Sequence, residues 1–296
     1  ASRTSESRGR ALAALARMAP ATAVRLAGEL AEADHRGPLG LARLNVLAAH
    51  AAEASIETFV NATAGGDAFV QQRGWDILAS LEGDQSNSVI AKAVQQYLSG
   101  DLDPRVHLNV IEAAAGRLNP ELQKRLDKFR ASVSAKDPLG PWLDSISGGN
   151  AESGEKLFFG KTELSCVRCH KVDRIGGEVG PNLTEIGKHK DARYLLESIC
   201  LPNAQIAKGY ETTAIVDIDG RVISGIVRNE TDDFVELMLA DGSQVRVMQD
   251  DIEARKKGKS SMPADLTKFM TPRELRDFVA YLTTLKVDRR ADADVE

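Results

Sequence analysis

The pentapeptide Cys166-Val167-Arg168-Cys169-His170 constrains this chain more than any other stretch. Two thiols three residues apart on one helical turn lie on the same side of the backbone, and a histidine follows at once. This spacing is the attachment signature of a c-type haem, in which both cysteines form thioethers and the histidine binds iron. We therefore expect one haem c, covalently attached through Cys166 and Cys169, with His170 as an iron ligand.

Two other kinds of cysteine site fit the flanking sequence less well. A zinc site needs a second ligand pair, and the remaining cysteine, Cys200, has no Cys or His partner at ligand spacing. A thioredoxin-like pair follows a strand, whereas here a short helical segment, 155–159, precedes the motif and a glycine-rich loop follows it. We interpret Cys200 as a buried thiol, with an intermolecular disulfide that links a dimer as the alternative.

Length and composition place few further limits on the chain. Its 296 residues suffice for two or three domains, and its 43% hydrophobic and 27% charged residues are ordinary for a globular protein. The net charge of -5 argues against nucleic acid as a general partner. There is no apolar run of about 18 residues, so no membrane span is predicted. The chain begins at Ala1 without a methionine, so we expect a processed form or a piece of a longer protein.

The N-terminal part, 1–135, has helical periodicity throughout, broken by short glycine and proline turns. Three similar apolar helices, 41–49, 70–81 and 106–118, lie roughly 30–35 residues apart, as in helical-pair repeats. We predict a HEAT-like α-solenoid here, with a plain helical bundle as the alternative, and a role as scaffold or docking surface. The next segment, 136–150, is rich in Ser, Lys, Asp, Gly and Pro, which indicates a linker.

The C-terminal part, 151–290, combines helices at both ends with strands between them. Gly154 and Phe158 lie one turn apart on a short helix, and a glycine there allows another helix to approach closely. The expected partner is the last helix, 271–285, whose start has an N-cap threonine, a proline and a capping-box glutamate. We expect these two helices to cross at Gly154.

Two β-hairpins are predicted between the haem motif and the last helix. The strands 213–218 and 222–227 flank Asp219-Gly220, and the strands 234–239 and 243–248 flank Asp241-Gly242. They indicate a four- or five-stranded sheet or barrel inserted at about 210–255. The basic run 255–259 follows, and we expect a loop there. Such a run is usually solvated, and a rim that docks an acidic partner is the alternative.

The C-terminal motifs together resemble class I cytochromes c, and most closely the planctomycete/verrucomicrobial-type haem-binding cytochrome c domain. That resemblance covers about 150–287 and implies a class I cytochrome c-like fold with a β insert, in a family whose domain often follows helical repeats. It also implies that the Pro181 carbonyl orients His170 and that Met262 is the second iron ligand, with His189 as the rival ligand. Met238 and Met248 lie in predicted strands, and Met270, directly before the last helix, is expected in the core. The motifs that carry the resemblance are Phe158, 166–170, 180–187, 195–199, 209–213 and 261–263.

A haem with histidine and methionine ligands has no free iron position, and this arrangement is typical of electron transfer. We therefore expect a non-enzymatic single-electron carrier with a redox protein partner. A domain or subunit of a larger dehydrogenase is one form that such a carrier takes. Because haem is attached outside the cytoplasm, we expect a periplasmic or other extracytoplasmic location. One alternative is a peroxidase-like enzyme or gas sensor with an open distal site and His189 as acid or base. Another is a helical scaffold with an accessory haem.

Overall fold

The computed structural model describes residues 2–287, a mainly helical chain with one small antiparallel sheet. It divides into two compact units, Ala1–Asp144 and Ser145–Glu296. The last residues of the predicted domain 151–290 lie outside the described part. No helix within residues 2–287 is both long enough and apolar enough to cross a membrane.

Unit 1 is built from helices that pack on the helices one or two places away in chain order. α3 contacts α1, α2 and α5, and α7 contacts α5 and α6. Buried aliphatic and aromatic side chains such as Phe59, Leu78, Ile90 and Val110 fill the space between them. The bounds are α1 Ser2–Met18, α2 Pro20–Glu29, α3 Gly37–His50, α4 Ile56–Thr63, α5 Ala68–Ser80, α6 Asp84–Ser99, α7 His107–Ala114 and α8 Pro120–Lys136.

The predicted helices 41–49, 70–81 and 106–118 correspond to α3, α5 and α7. α7 ends at Ala114, earlier than expected, and Gly116 adopts a left-handed conformation (φ 70°) just beyond it. Glycine takes this conformation without a steric penalty, which makes it a common residue after a helix end. The segment 136–150 contains a short 3-10 helix, Gly140–Ser145, and Leu139 just before it is buried.

The end of unit 1 is held by a polar cluster around Asp144. Its carboxylate accepts from Arg130 (2.6 Å) and from the Tyr97 hydroxyl (2.9 Å). The Tyr97 ring in turn packs edge-on against His107, with ring centres 4.9 Å apart. These contacts attach the segment that ends in Asp144 to α6, α7 and α8.

Unit 2 begins and ends with a crossed pair of helices. α9 and α13 approach closely at Gly154, where an added Cβ would lie 2.1 Å from the Asp277 carbonyl oxygen. The Phe158 ring stacks on Phe278 with centres 6.2 Å apart, so the predicted crossing at Gly154 is confirmed. The helices are α9 Ala151–Gly160, α10 Cys166–Cys169, α11 Ile186–His189, α12 Ala192–Cys200 and α13 Pro272–Thr284.

Five antiparallel strands form the sheet, in the order β4-β3-β2-β1-β5. Both predicted hairpins are confirmed, and Gly220 and Gly242 supply the positive φ of 75° and 87° that their turns require. The expected loop at 255–259 is wrong, because this run belongs to β5 and pairs with β1 at the edge of the sheet. The strands are β1 Glu211–Asp217, β2 Val222–Glu230, β3 Phe234–Met238, β4 Gln244–Met248 and β5 Ile252–Ser260.

Candidate functional site

The cysteine motif forms a single helical turn, α10, whose two thiols border the same cavity. Ser165 precedes the turn in a left-handed conformation (φ 50°), and the His170 amide closes it by donating to the Cys166 carbonyl at 2.9 Å. Burial raises the pKa of the Cys166 thiol to about 11. At neutral pH this cysteine is therefore a protonated thiol and not a thiolate.

The glycine-rich loop 176–183 is bound to the motif by backbone hydrogen bonds. The amide of Gly177 donates to Val167 at 2.9 Å, and the amide of Gly180 donates to Cys169 at 2.7 Å. An added Cβ at Gly177 would lie 1.9 Å from the Arg168 carbonyl oxygen, so the approach requires glycine. The loop and the cysteine motif therefore form one local structure.

The His170 imidazole is oriented by this loop. Its Nδ1 donates to the Pro181 carbonyl oxygen at 2.9 Å. Since a carbonyl only accepts, Nδ1 carries the hydrogen and Nε2 of the neutral ring keeps a free lone pair. Burial lowers the pKa of His170, and the bond to Pro181 offsets part of this effect. Gly180 leaves room for the ring, since a Cβ there would lie 2.6 Å from Cε1.

A cavity of about 240 Å³ opens in front of His170. On the same measure one water needs only about 10–15 Å³, so the space suits a much larger group. Apolar side chains of α9, α11, α12 and α13, and of the segments between them, supply most of its wall. They include Phe158, Leu164, Ile186, Leu195, Ile199, Leu266, Phe278 and Leu282.

Of the five methionines, Met262 and Met270 line this cavity. Both are half-buried and flank the turn that leads from β5 to α13. Met248 is 47% exposed on β4 and does not border the cavity, and Met238 lies within strand β3. Met270 directly precedes the cap of the last helix, and from this position we expect a core residue. Its place in the cavity wall is a second thioether that the sequence does not predict.

The remaining candidates lie away from the cavity or were not expected in it. His189 is exposed at the end of α11 and does not line the cavity. Cys200 is buried, and burial raises the pKa of its thiol to about 12. Tyr194 lines the cavity without having been singled out from the sequence, and the Lys190 ammonium lies 4.0 Å from the centre of its ring.

The donor set of the cavity fits a haem c. Two thiols on one turn, an imidazole with a free Nε2 lone pair and a thioether sulfur all border the same apolar space. No three side chains of His, Cys, Asp or Glu within residues 2–287 are grouped so as to hold a metal ion by themselves.

Comparison with known proteins adds no family assignment. No protein-family model matches the chain, and no curated protein matches it.

Proposed function

We propose that this chain is a mono-haem c-type cytochrome that passes single electrons between redox partners and transforms no substrate. Cys166 and Cys169 would hold the macrocycle through thioethers, and His170 and Met262 would bind the iron. A haem bound in this way supplies one-electron chemistry between ferric and ferrous iron. The chain's own residues orient the imidazole, present the sulfur and exclude water from the cavity.

One observation carries the proposal. The hydrogen bond from His170 Nδ1 to the Pro181 carbonyl leaves Nε2 as the only nitrogen able to bind a metal, in a cavity that both thiols and Met262 also border. A hydrogen bond of this kind fixes the tautomer and the ring orientation of a metal-binding histidine. Neither a redox dithiol nor a structural thiol pair would require the histidine to be oriented.

We further propose that 151–290 is a class I cytochrome c-like domain of the planctomycete/verrucomicrobial type. The crossing of α9 and α13 at Gly154 and the sheet between α12 and α13 support this fold. The packing of α3 on α5 and of α5 on α7 supports a HEAT-like array in unit 1. In this proposal the array is a scaffold, the location is extracytoplasmic, and a dehydrogenase is one candidate for the redox partner.

The experiment is an absorption spectrum of the oxidised and reduced protein, combined with the mass of the unfolded chain. We expect low-spin bands with a methionine-to-iron band in the oxidised state, and a mass increase of one haem that resists acid and organic solvent. Met262→Ala removes the methionine band, whereas Met270→Ala and the exposed Met248→Ala keep it. A chain without covalently attached pigment contradicts the proposal.

The alternative of an open distal site is tested on the same protein. Carbon monoxide binds reduced haem iron only where a coordination position is free or labile. We expect no rapid, stoichiometric binding to the unmodified protein and clear binding to Met262→Ala. Rapid binding to both would favour an enzyme or a sensor.

A further inference from the structure

We propose that strand β5 is the docking surface for an acidic protein that exchanges electrons with this chain. The inference rests on the proposed function, because it names the partner of the same site. Its starting point is the basic run 255–259, which the structure places in an edge strand.

The basic side chains of β5 lie along the free edge of the sheet. Arg255, Lys256, Lys257 and Lys259 are all exposed, and β1 covers only the inner side of the strand. Lys256 lies opposite Ala214 and Lys257 opposite Thr213. Neighbouring residues of a strand point to opposite faces, so a partner that approaches this edge meets lysines from both faces.

The positive charge of this edge is only partly compensated. Glu253 lies in the same strand, and the Glu211 carboxylate interacts electrostatically with Lys257. Arg255 forms an ion pair with Glu230, but Lys256, Lys257 and Lys259 form no ion pair within residues 2–287. The whole chain has a net charge of -5, so the edge is a local positive region on an acidic protein. Such a region attracts an acidic surface and steers its approach.

The edge strand also leads directly into the cavity wall. β5 ends at Ser260, and Ser260, Ser261 and Met262 all line the cavity. Two residues of extended chain span about 7 Å, so a protein bound at the end of β5 lies beside the proposed redox centre. Apart from Ile252 at its start, β5 has no large apolar side chain that could anchor the edge in lipid. This favours a protein over a membrane surface.

Lysines on an edge strand have a second known effect, which is to deter pairing between copies of the same chain. That explanation predicts that loss of the lysines lets copies of this chain associate, which size-exclusion chromatography of the variant measures. Docking of an acidic partner instead predicts that loss of the lysines slows electron transfer to an anion.

The test compares two triple variants with equal loss of charge, Lys256→Gln/Lys257→Gln/Lys259→Gln and Lys92→Gln/Lys124→Gln/Lys128→Gln. The control lysines are exposed on α6 and α8. Stopped-flow measurements follow one electron from the reduced protein to the anion hexacyanoferrate(III) or to the cation tris(phenanthroline)cobalt(III). Polyglutamate serves as a model of an acidic partner that competes for the edge.

At low salt we expect hexacyanoferrate(III) to oxidise the β5 variant about tenfold more slowly than the unmodified protein. The difference should vanish in about 0.5 M salt, the control variant should keep its rate, and the cobalt reagent should not be slowed. Polyglutamate should inhibit only proteins with an intact β5.

Equal rates for the unmodified protein and the β5 variant overturn the inference, as does equal slowing of the control. Binding to vesicles with anionic lipid that depends on β5, without any change in rate, assigns the lysines to a membrane and also overturns it. A protein with no reducible pigment contradicts the proposed function instead, so the two failures are distinguishable.

Discussion

The Arg228 guanidinium on β2 donates to the backbone carbonyl of Glu178, in the loop that carries Pro181. The same guanidinium lies 5.3 Å from the centre of the Tyr210 ring, which lines the cavity. Val179, the next residue of the loop, is buried, and an added Cβ at Gly242 in the β3–β4 turn would lie 3.7 Å from it. The sheet therefore supports the loop that orients His170.

We predict that Arg228→Gln loosens this loop. A hydrogen bond to a charged group contributes about 1.5–3 kcal/mol, so loop opening should become about tenfold more frequent or more. Hydrogen exchange with mass spectrometry measures this as faster exchange of the amides of Gly177, Gly180 and Leu183. These amides donate to backbone carbonyls of the cysteine motif and of the residue that follows it.

Arg246→Gln is the matched control for this prediction. Arg246 lies on the same sheet, 3.9 Å from the centre of the Phe234 ring, and forms an ion pair with Glu236. Its loss should leave exchange in 176–183 unchanged. If both variants accelerate exchange there equally, the effect comes from general loosening of the sheet and not from Arg228.

The helix crossing gives a second prediction. Gly154→Ala would place a methyl group 2.1 Å from the Asp277 carbonyl oxygen, so α9 and α13 must move apart. Overpacking of this kind lowers the free energy of unfolding by about 1–3 kcal/mol. Denaturation by urea measures this as a lower midpoint. Gly160→Ala, at the end of the same helix, meets nothing within 4 Å and should not destabilise the protein. Equal midpoints for the two variants would contradict close packing at Gly154.

Local sequence patterns predicted the parts of this fold that local chemistry determines. The capping box at Thr271 and Glu274 is formed as its residue order indicates. Both hairpins turn at their Asp-Gly pairs, and the glycine in α9 lies at the helix crossing. The capping box, the hairpins and the turn of Cys166 and Cys169 each depend on a few residues close together in the chain. The helix crossing joins distant residues, but the glycine in α9 indicates where the two helices approach.

Most other contacts between distant residues could not be predicted in this way. β5 has no apolar alternation, and it becomes a strand because β1 pairs with it. Arg228 and Glu178 lie 50 residues apart, and no pattern in either segment predicts their contact. The place of Met270 in the cavity wall likewise depends on how the segment after β5 turns back to α13.

The proximal loop gives a third prediction. Gly180→Ala would place a methyl group 2.6 Å from Cε1 and 2.8 Å from Nδ1 of His170, so the ring or the loop must shift. We expect loss of the bond to Pro181 and, since the proposed function makes His170 an iron ligand, an altered absorption spectrum of the oxidised protein. Gly160→Ala is again the control, and its spectrum should match the unmodified protein. A normal spectrum for Gly180→Ala would mean that the imidazole does not lie against this loop.

The fourth prediction concerns pH and Glu274, whose carboxylate accepts from Lys161 (2.7 Å) and from the Thr271 amide (2.8 Å). The bond to Lys161 is the main reason why the pKa of Glu274 lies below its usual 4.5. A carboxylate with a lowered folded-state pKa stabilises the protein above the unfolded value, and this contribution is lost as the pH falls through the folded value. Glu274→Gln should therefore lower the free energy of unfolding by about 0.5–1 kcal/mol at pH 7.

The same substitution should lower the free energy of unfolding less at acid pH than at pH 7, because Glu274 becomes protonated as the pH falls through its lowered folded-state pKa. Urea midpoints at the two pH values measure the difference. Glutamine keeps an oxygen for the Thr271 amide, so the helix cap survives and only the charge is removed. The control is Glu152→Gln on α9, whose ion pair with Lys156 is largely exposed and should contribute less. An equal cost of Glu274→Gln at both pH values would show that the helix cap, and not the ion pair with Lys161, was lost.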